Sequence, residues 1–374
     1  MNILALIYLI LFYIFCVVIA IQIFYYLYFF LRFANYKTPE KKSSQQYPVS
    51  VIVCAKNEAH NLVKTLPGVL VQDYKTTHEI ILVNDNSIDE TKYILDEFKK
   101  SFKNLNPVVL TQEAKMIPGK KFPLSMGIKS AKYEIVLLTD ADCVPASEHW
   151  IQLMQNGYDA GTDIVLGYGA YFKKQSFLNK IIRFETFHSA LQYFSYALAG
   201  MPYMGVGRNL SYKKNLFLKN KGFSSINHIP GGDDDLFINM IATKKNTAIV
   251  IDKDAHTLSE PKKTWSNWMK QKQRHYTTAK YYKPKHKFLL GLYSFTTFLV
   301  YPLLIITAIF YSWWLVLVIF FARLIVQAII YNKTMKKLNE ADLFPYFILF
   351  DLWMFIYYFL FAPALWRKAE KTWS

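Results

Sequence analysis

The sequence predicts an α/β domain built on a mostly parallel sheet, set between apolar helices at both ends of the chain. Three observations carry this. Charge is scarce: 19% of the 374 residues are Asp, Glu, Lys or Arg, against about 25% in soluble globular chains. The scarcity is local, because residues 1–31 hold no Asp, Glu, Lys or Arg, 288–331 hold only Arg323, and 343–366 hold only Asp351. Between the first and second of these blocks, short β-branched runs alternate with helical stretches, the pattern of βαβ units. A simple soluble protein, a disordered chain and a transporter made mostly of helices are excluded.

Residues 1–34 read as an uncleaved N-terminal transmembrane anchor. The apolar run is long enough for a bilayer, which takes roughly 20 residues, and it lacks the basic start and small-residue cleavage site of a signal peptide. Arg32, Lys37, Lys41 and Lys42 follow it, which puts its C-terminal end on the cytoplasmic side. Residues 35–260 form the α/β domain. Its strands are Val49–Cys54, Glu79–Asn84, Pro107–Thr111 and Glu134–Thr139, and its helices are Glu58–Val71, Asp89–Phe102 and Lys120–Ala131. Near-continuous apolar strands fit a sheet covered on both faces, and ligands of such sheets bind beyond the carboxyl ends of the strands. Residues 177–199, apolar with a few charges, read as an interface helix or a lid.

Residues 261–287 hold nine Lys/Arg and no Asp/Glu; they read as a basic segment against anionic headgroups, with an amphipathic helix Trp265–Tyr282 that sets Trp265 and Trp268 at the interface. Residues 288–374 are the C-terminal membrane region: a helical hairpin over 288–331 that turns near Tyr311–Trp313, and a third apolar segment, 343–366, that spans or re-enters. Lys333, Lys336 and Lys337 agree with a hairpin that returns to the cytoplasm, while Arg367, Lys368 and Lys371 would lie outside if the third segment spans once. The expected location is the cytoplasmic (inner) membrane, multi-pass. The net charge of +17 comes with no zinc pattern or RNA-binding aromatic signature, so it points to membrane lipids or phosphorylated substrates and not to nucleic acid. Three cysteines without paired spacing suit a reducing compartment.

The strand ends carry the chemistry. The first ends in Ala55-Lys56-Asn57-Glu58, the second in Asn84-Asp85-Asn86-Ser87 and the fourth in Thr139-Asp140-Ala141-Asp142. Asp89 reads as a helix cap. Asp140 and Asp142, one residue apart on an apolar strand, suit a divalent cation that also holds phosphate oxygens. Lys120, after Gly119 and at the start of a helix, suits a diphosphate.

These segments, VSVIVCAKNE, ILVNDNSIDET, GKKFPLSMGIKSA and LLTDADC, resemble the family 2 glycosyltransferases of the GT-A fold in order and spacing, over roughly residues 48–150. Gly205-Val-Gly-Arg-Asn209 looks like that family's glycine-containing segment near the donor sugar. Gly231-Gly-Asp-Asp-Asp-Leu236 looks like the segment that supplies its general base. Gln271-Lys-Gln-Arg-His275 is similar to the Q-x-x-R-W signature of membrane-bound members such as cellulose and hyaluronan synthases and ceramide glucosyltransferases, with His275 where Trp is expected.

The resemblance implies a GT-A domain, Rossmann-like and cytoplasmic, that transfers sugar with inversion from a nucleotide-diphospho-sugar to a hydroxyl acceptor. It implies donor contacts from Ala55, Asn57, Glu58, Asp85, Lys120, Asp140, Gln271 and Arg274. Asp140 and Asp142 would hold Mg2+ or Mn2+, and Asn209 and His275 would face the acceptor. The base is one of Asp233, Asp234 and Asp235: alignment of the following helix favours Asp235, and the local acidic pattern favours Asp233. The first is preferred, because it also fits the strand expected at Thr247–Ile251. The basic segment and the few spanning helices favour a membrane lipid or lipid-linked glycan as acceptor. A processive polysaccharide synthase is the alternative, and a non-catalytic membrane scaffold on the same fold is the second.

Overall fold

The computed structural model describes residues 3–39, 46–111, 117 and 119–366; Lys41, Lys42, Arg367, Lys368 and Lys371 lie outside the described residues. The chain begins with helix α1 (Ile3–Phe24), which widens into a π-helical turn over Tyr25–Phe30 and closes as α2 (Leu31–Asn35). The α/β domain follows as β1 (Val49–Ala55), α3 (Ala59–Leu70), β2 (His78–Asp85), α4 (Thr91–Ser101), β3 (Leu105–Leu110), α5 (Lys121–Ser130) and β4 (Ile135–Asp140). Its second half holds β5 (Cys143–Pro145), α6 (Trp150–Asn156), β6 (Ile164–Leu166), β7 (Gly169–Tyr171), α7 (Phe177–Leu198), β8 (Leu210–Lys213), α8 (Lys214–Lys219), α9 (Asp235–Ile241), β9 (Thr247–Ile249) and β10 (Thr257–Ser259). Helices α10 (Trp265–Tyr276), α11 (Pro284–Thr307), α12 (Trp313–Lys337) and α13 (Phe347–Phe361) complete it.

The main sheet runs β3-β2-β1-β4-β8-β6-β9. The four strands β3, β2, β1 and β4 are parallel, and β8 is antiparallel to both of its neighbours. β1 is buried along its whole length and β2 from its second residue onward, as a sheet covered on both faces requires. Register aligns the tips: Cys54 faces Asp140 across one ladder and Ala55 faces Asn84 across the other. Helix α5 approaches so closely that a Cβ on Gly127 would lie 2.7 Å from Ile52 Cγ2 and 2.9 Å from Val83 Cγ2. A small second sheet, β5-β10-β7, closes one side of the strand tips.

Helix α7 is neither a surface helix nor a lid. It is buried on nearly every face and packs on the domain's large core with Phe29, Phe33 and Phe350. Its charges persist because each has a partner: Arg183 pairs with Glu340 and Asp342, and Glu185 with Lys272.

Among the described residues, three helical stretches are long and apolar enough to cross a membrane: Ile3–Asn35, Pro284–Lys337 and Ala341–Leu365. The second breaks at Ser312, whose backbone is extended, into α11 and α12. Phe12 and Phe15 of α1 pack with Val300 and Leu303 of α11 and with Val316 and Phe320 of α12, forming a three-helix bundle. Inside it Arg323 is ion-paired with Asp351, which also accepts hydrogen bonds from Tyr301 Oη at 2.7 Å and Gln327 Nε2 at 2.8 Å. Intramembrane charge is tolerated where it is paired in this way.

The third stretch returns to the domain it leaves. Glu340, just before it, bonds Arg183 and Tyr168, while Tyr357 and Phe361 near its end pack against Glu185, Trp268 and Tyr276. Its helix α13 has 15 residues, roughly 22 Å at 1.5 Å per residue, short of the ~30 Å hydrocarbon core. With the helical turns Ala341–Tyr346 and Ala362–Trp366 at its two ends, the continuous stretch Ala341–Leu365 has 25 residues. Of the two tryptophans expected at headgroups, Trp265 is exposed, but Trp268 is buried against Trp353 and Phe361 because α10 packs on α13. Helix α10 ends at Tyr276, well before Tyr282.

Candidate active site

A cavity of about 1330 Å³ opens at the tips of β1 and β4 and extends between α7, α10, α11 and α13. Its deep end is acidic and cationic at once. Asp140 and Asp142 carry ligand atoms that, with Cys143 Sγ, all lie within 4.8 Å of one another. Lys120 is ion-paired with Asp140. Although burial opposes it, that ammonium holds the Asp140 carboxyl below the usual range, while burial and the Asp140 charge push Asp142 up. Two carboxylates that hinder each other's ionisation, with hard oxygen donors at short range, fit a Mg2+ or Mn2+ ion. Arg208 completes the rim: its guanidinium lies 4.3 Å over the Tyr171 ring and donates to Ser259 Oγ at 2.8 Å.

The three consecutive acids have three different environments, set by the loop before α9. Gly231 and Gly232 adopt φ of +74° and +84°, a region costly for other residues, and buried Lys121 holds the loop by donating to Ile229 O and Gly231 O. Asp234 is the N-cap, accepting from Asp235 N at 2.7 Å and Gly207 N at 2.8 Å; burial and the flanking carboxylates push its pKa up. Asp235 is buried. Its Oδ2 accepts from Thr278 Oγ1 at 2.5 Å and Tyr282 Oη at 2.7 Å, and its Oδ1 from Leu236 N at 2.7 Å. Both of its oxygens are engaged, although Asp235 also lines the cavity. Asp233 lines the cavity, as Asp234 and Asp235 do, and makes no hydrogen bond among the described residues.

The expected donor residues divide. Glu58, Lys120, Asp140, Gln271 and Arg274 line the cavity with Asp142 and His275. Ala55, Asn57 and Asp85 do not line it among the described residues, although they stand at the same sheet edge. Asn57 (φ 56°) ties two loops together, donating to Ser87 Oγ and accepting from Ile88 N. Asp89 caps both α3 and α4, through Ala59 N and Thr91 N at 3.0 Å each. Asn209, expected on the acceptor side, is fully buried: it accepts from Trp150 Nε1 and donates to Tyr168 O and Ala255 O. Every polar atom of its side chain is used by the scaffold, and its neighbour Arg208 takes the place on the cavity wall. Sequence reasoning quoted Arg208 inside the glycine-containing segment without singling it out. His188 is packed, 3.1 Å from Tyr293 Oη.

A mixed sheet whose parallel strand tips gather carboxylates and cations over such a cavity defines the class, a glycosyltransferase of the GT-A fold. Comparison with known proteins agrees. The family described as Glycosyl transferase family 2 matches residues 50–214, and Glycosyl transferase family group 2 matches residues 135–366. The chain belongs to glycosyl transferase family group 2. Over 156 residues it is 29% identical to the poly-beta-1,6-N-acetyl-D-glucosamine synthase of Staphylococcus aureus (strain COL), and over 122 residues 34% identical to that of Staphylococcus epidermidis. These matches cover 41% and 31% of this chain, and only 36% and 28% of the synthases. A solved mannosyltransferase from Pyrobaculum calidifontis, in complex with GDP-Man and Mn2+, has the same fold: TM-score 0.58 at 18% identity, covering 94% of this chain and 99% of that one.

Proposed function

We propose that this protein is an inverting, membrane-bound glycosyltransferase that moves a sugar from a nucleotide-diphospho-sugar to a hydroxyl of a membrane lipid. The observation that carries it is the continuity of the cavity, which joins Asp140, Asp142 and Asp233 to residues of the apolar helices α11 and α13. In this reading Lys120, Arg208 and Arg274 hold the diphosphate. Asp140 and Asp142 would hold Mg2+ or Mn2+, which when bound neutralises charge on the diphosphate leaving group. The mannosyltransferase neighbour, solved with GDP-Man and Mn2+, supports a nucleotide-sugar donor and a divalent ion.

Asp233 removes the acceptor proton as the hydroxyl attacks the anomeric carbon from the side opposite the leaving group. Asp234 and Lys121 hold the loop that presents it. Gln271 and His275 flank the sugar, and Arg274 stays over the departing phosphates. Fixed charge of this kind, set before the reaction, supplies most of such a barrier reduction. The domain sits on the cytoplasmic face, where Arg32, Lys37, Lys333 and Lys337 gather at the ends of the bundle; Lys337 Nζ donates to Tyr36 O at 2.6 Å and Lys333 Nζ to Asn35 Oδ1 at 3.3 Å.

The synthases of the two staphylococci favour a second reading, a processive synthase that extends a glycan. Incubating the detergent-solubilised protein with a panel of nucleotide sugars and following nucleoside diphosphate release tests the shared core of both. Release with at least one sugar, abolished by a chelator, is expected; no release from any donor overturns both readings.

A further inference from the structure

Six residues of α11 lie on the cavity: Lys287, Leu290, Gly291, Ser294, Phe295 and Phe298. Their spacing of three and four residues makes one stripe along the helix, about 16 Å long at ~1.5 Å per residue. The facing wall is α13 and the turn after it, with Met354, Phe359, Ala362, Pro363 and Leu365. Phe298 closes the far end, its ring 5.2 Å from Phe355 and stacked toward Phe359.

This groove differs from the rest of the cavity in chemistry and in exposure. Beyond Lys287 no wall residue of α11 or α13 is charged, and the hydroxyls are those of Ser294, Tyr357 and Tyr358. Phe295 and Phe359 are exposed on the outside of the apolar helices, so the groove opens sideways toward the hydrocarbon. Gly291 sits at this opening, and a Cβ there would meet nothing within 4 Å. At the inner end the wall becomes polar, with Glu185, His188, Ser189 and Gln192 of α7. Lys280 and Lys287, joined by a hydrogen bond from Lys287 Nζ to Lys280 O at 3.3 Å, place two cations at the mouth.

We infer that the groove between α11 and α13 is a lateral portal that holds the hydrocarbon chain of the acceptor lipid, with Gly291 as its threshold. The inference rests on the lipid-acceptor reading above and names the route. A chain entering from the bilayer lies along the α11 stripe and leaves the headgroup beside Lys280 and Lys287, where the basic residues suit an anionic lipid. The headgroup hydroxyl then points along the cavity toward Asp233. The outer wall formed by Phe295, Phe298, Phe359 and Leu365 is apolar and favours an alkyl chain over a glycan, whose hydroxyls would find no partners on those four side chains.

The test is photocrosslinking with the full chain in vesicles of phosphatidylethanolamine and phosphatidylglycerol that contain a diazirine-tailed phosphatidylglycerol. Crosslinks are expected on peptides carrying Ser294, Phe295, Phe298 and Phe359. Gly291→Trp should cut them about tenfold, a loss of about 1.4 kcal/mol in binding, while Gly291→Ala, into open space, should not. Val318→Trp, on the exposed face of α12, controls for a bulky residue in the membrane, and nucleoside diphosphate binding reports whether Gly291→Trp is folded. If the portal is wrong, crosslinks spread over the outer surface of the bundle and do not respond to Gly291→Trp. If instead the glycosyl-transfer reading is wrong, no donor is turned over, yet crosslinking still reports the portal. A wild type whose tail crosslinks avoid the groove while a soluble glycan forms overturns the lipid in favour of a glycan path.

Discussion

Exchanging Asp233 and Asp235 for asparagine separates a carboxylate with no hydrogen bond among the described residues from one held by three. Asp235→Asn removes a charge that accepts from Thr278 Oγ1, Tyr282 Oη and Leu236 N. Asparagine keeps one acceptor oxygen, so either the bond from Leu236 N is lost or the two hydroxyls must turn to accept from the amide nitrogen. Hydrogen bonds to charged groups contribute about 1.5–3 kcal/mol each. A stability loss of about 2–3 kcal/mol follows, visible as a drop of roughly 5–10 °C in Tm. Asp233→Asn touches no such bond. It should leave Tm within a degree or two of wild type, as surface substitutions do, and reduce sugar transfer about 10²–10⁴-fold, the usual effect of removing a general base. The assay pairs thermal unfolding in detergent with nucleoside diphosphate release in the presence of acceptor lipid. An inactive Asp235→Asn with native Tm, beside an active Asp233→Asn, would refute the reasoning and restore the first alignment.

Other expectations follow from the same structure. Asp351→Ala leaves Arg323 buried and unpaired between helices and should destabilise the bundle by about 3–5 kcal/mol; the double variant Arg323→Met/Asp351→Leu should recover most of it, as measured by resistance to unfolding in detergent. Gly127→Val, which forces side-chain atoms into Ile52 and Val83, should cost about 1–3 kcal/mol and lower the yield of folded protein. His256, buried beside Tyr168, has its pKa pushed down to about 4 by burial, against ~6.5 in the unfolded chain. The folded state therefore binds fewer protons between these values, and stability is lost as pH falls from about 6.5 toward 4, by up to about 1.4 kcal/mol per pH unit. His256→Gln should flatten that slope in unfolding titrations. Asp142→Asn should abolish the response of turnover to added Mn2+ or Mg2+ with the fold intact.

The first half of the domain is legible in the sequence because its signals are local. VSVIVC, EIILVN and EIVLLT are continuous apolar runs, and each became a parallel strand within a residue or two of its expected limits. The second half is not legible in that way. β5, β6, β7, β9 and β10 have three residues each, too few to show a period, and β8 lies inside a polar loop. Residues 177–199 read as an interface helix or a lid because Arg183, Glu185 and His188 are polar. Their partners Glu340, Lys272 and Tyr293 lie far along the chain, so the burial of those charges could not be foreseen from spacing. The same holds for the acids: the residues that engage Asp235, Thr278 and Tyr282, are supplied by the segment after α10. Asn209 was misread because a motif marks a neighbourhood, and within it the fold chose Arg208 for the wall.

In the proposed reaction one sugar passes to a lipid that stays in the membrane. The most direct test is mass analysis of products after the protein is reconstituted in native lipid extract with its preferred nucleotide sugar and Mn2+. The account predicts discrete organic-extractable lipids, each heavier by one hexose or hexosamine. A water-soluble ladder of oligosaccharides would contradict it and identify a processive synthase.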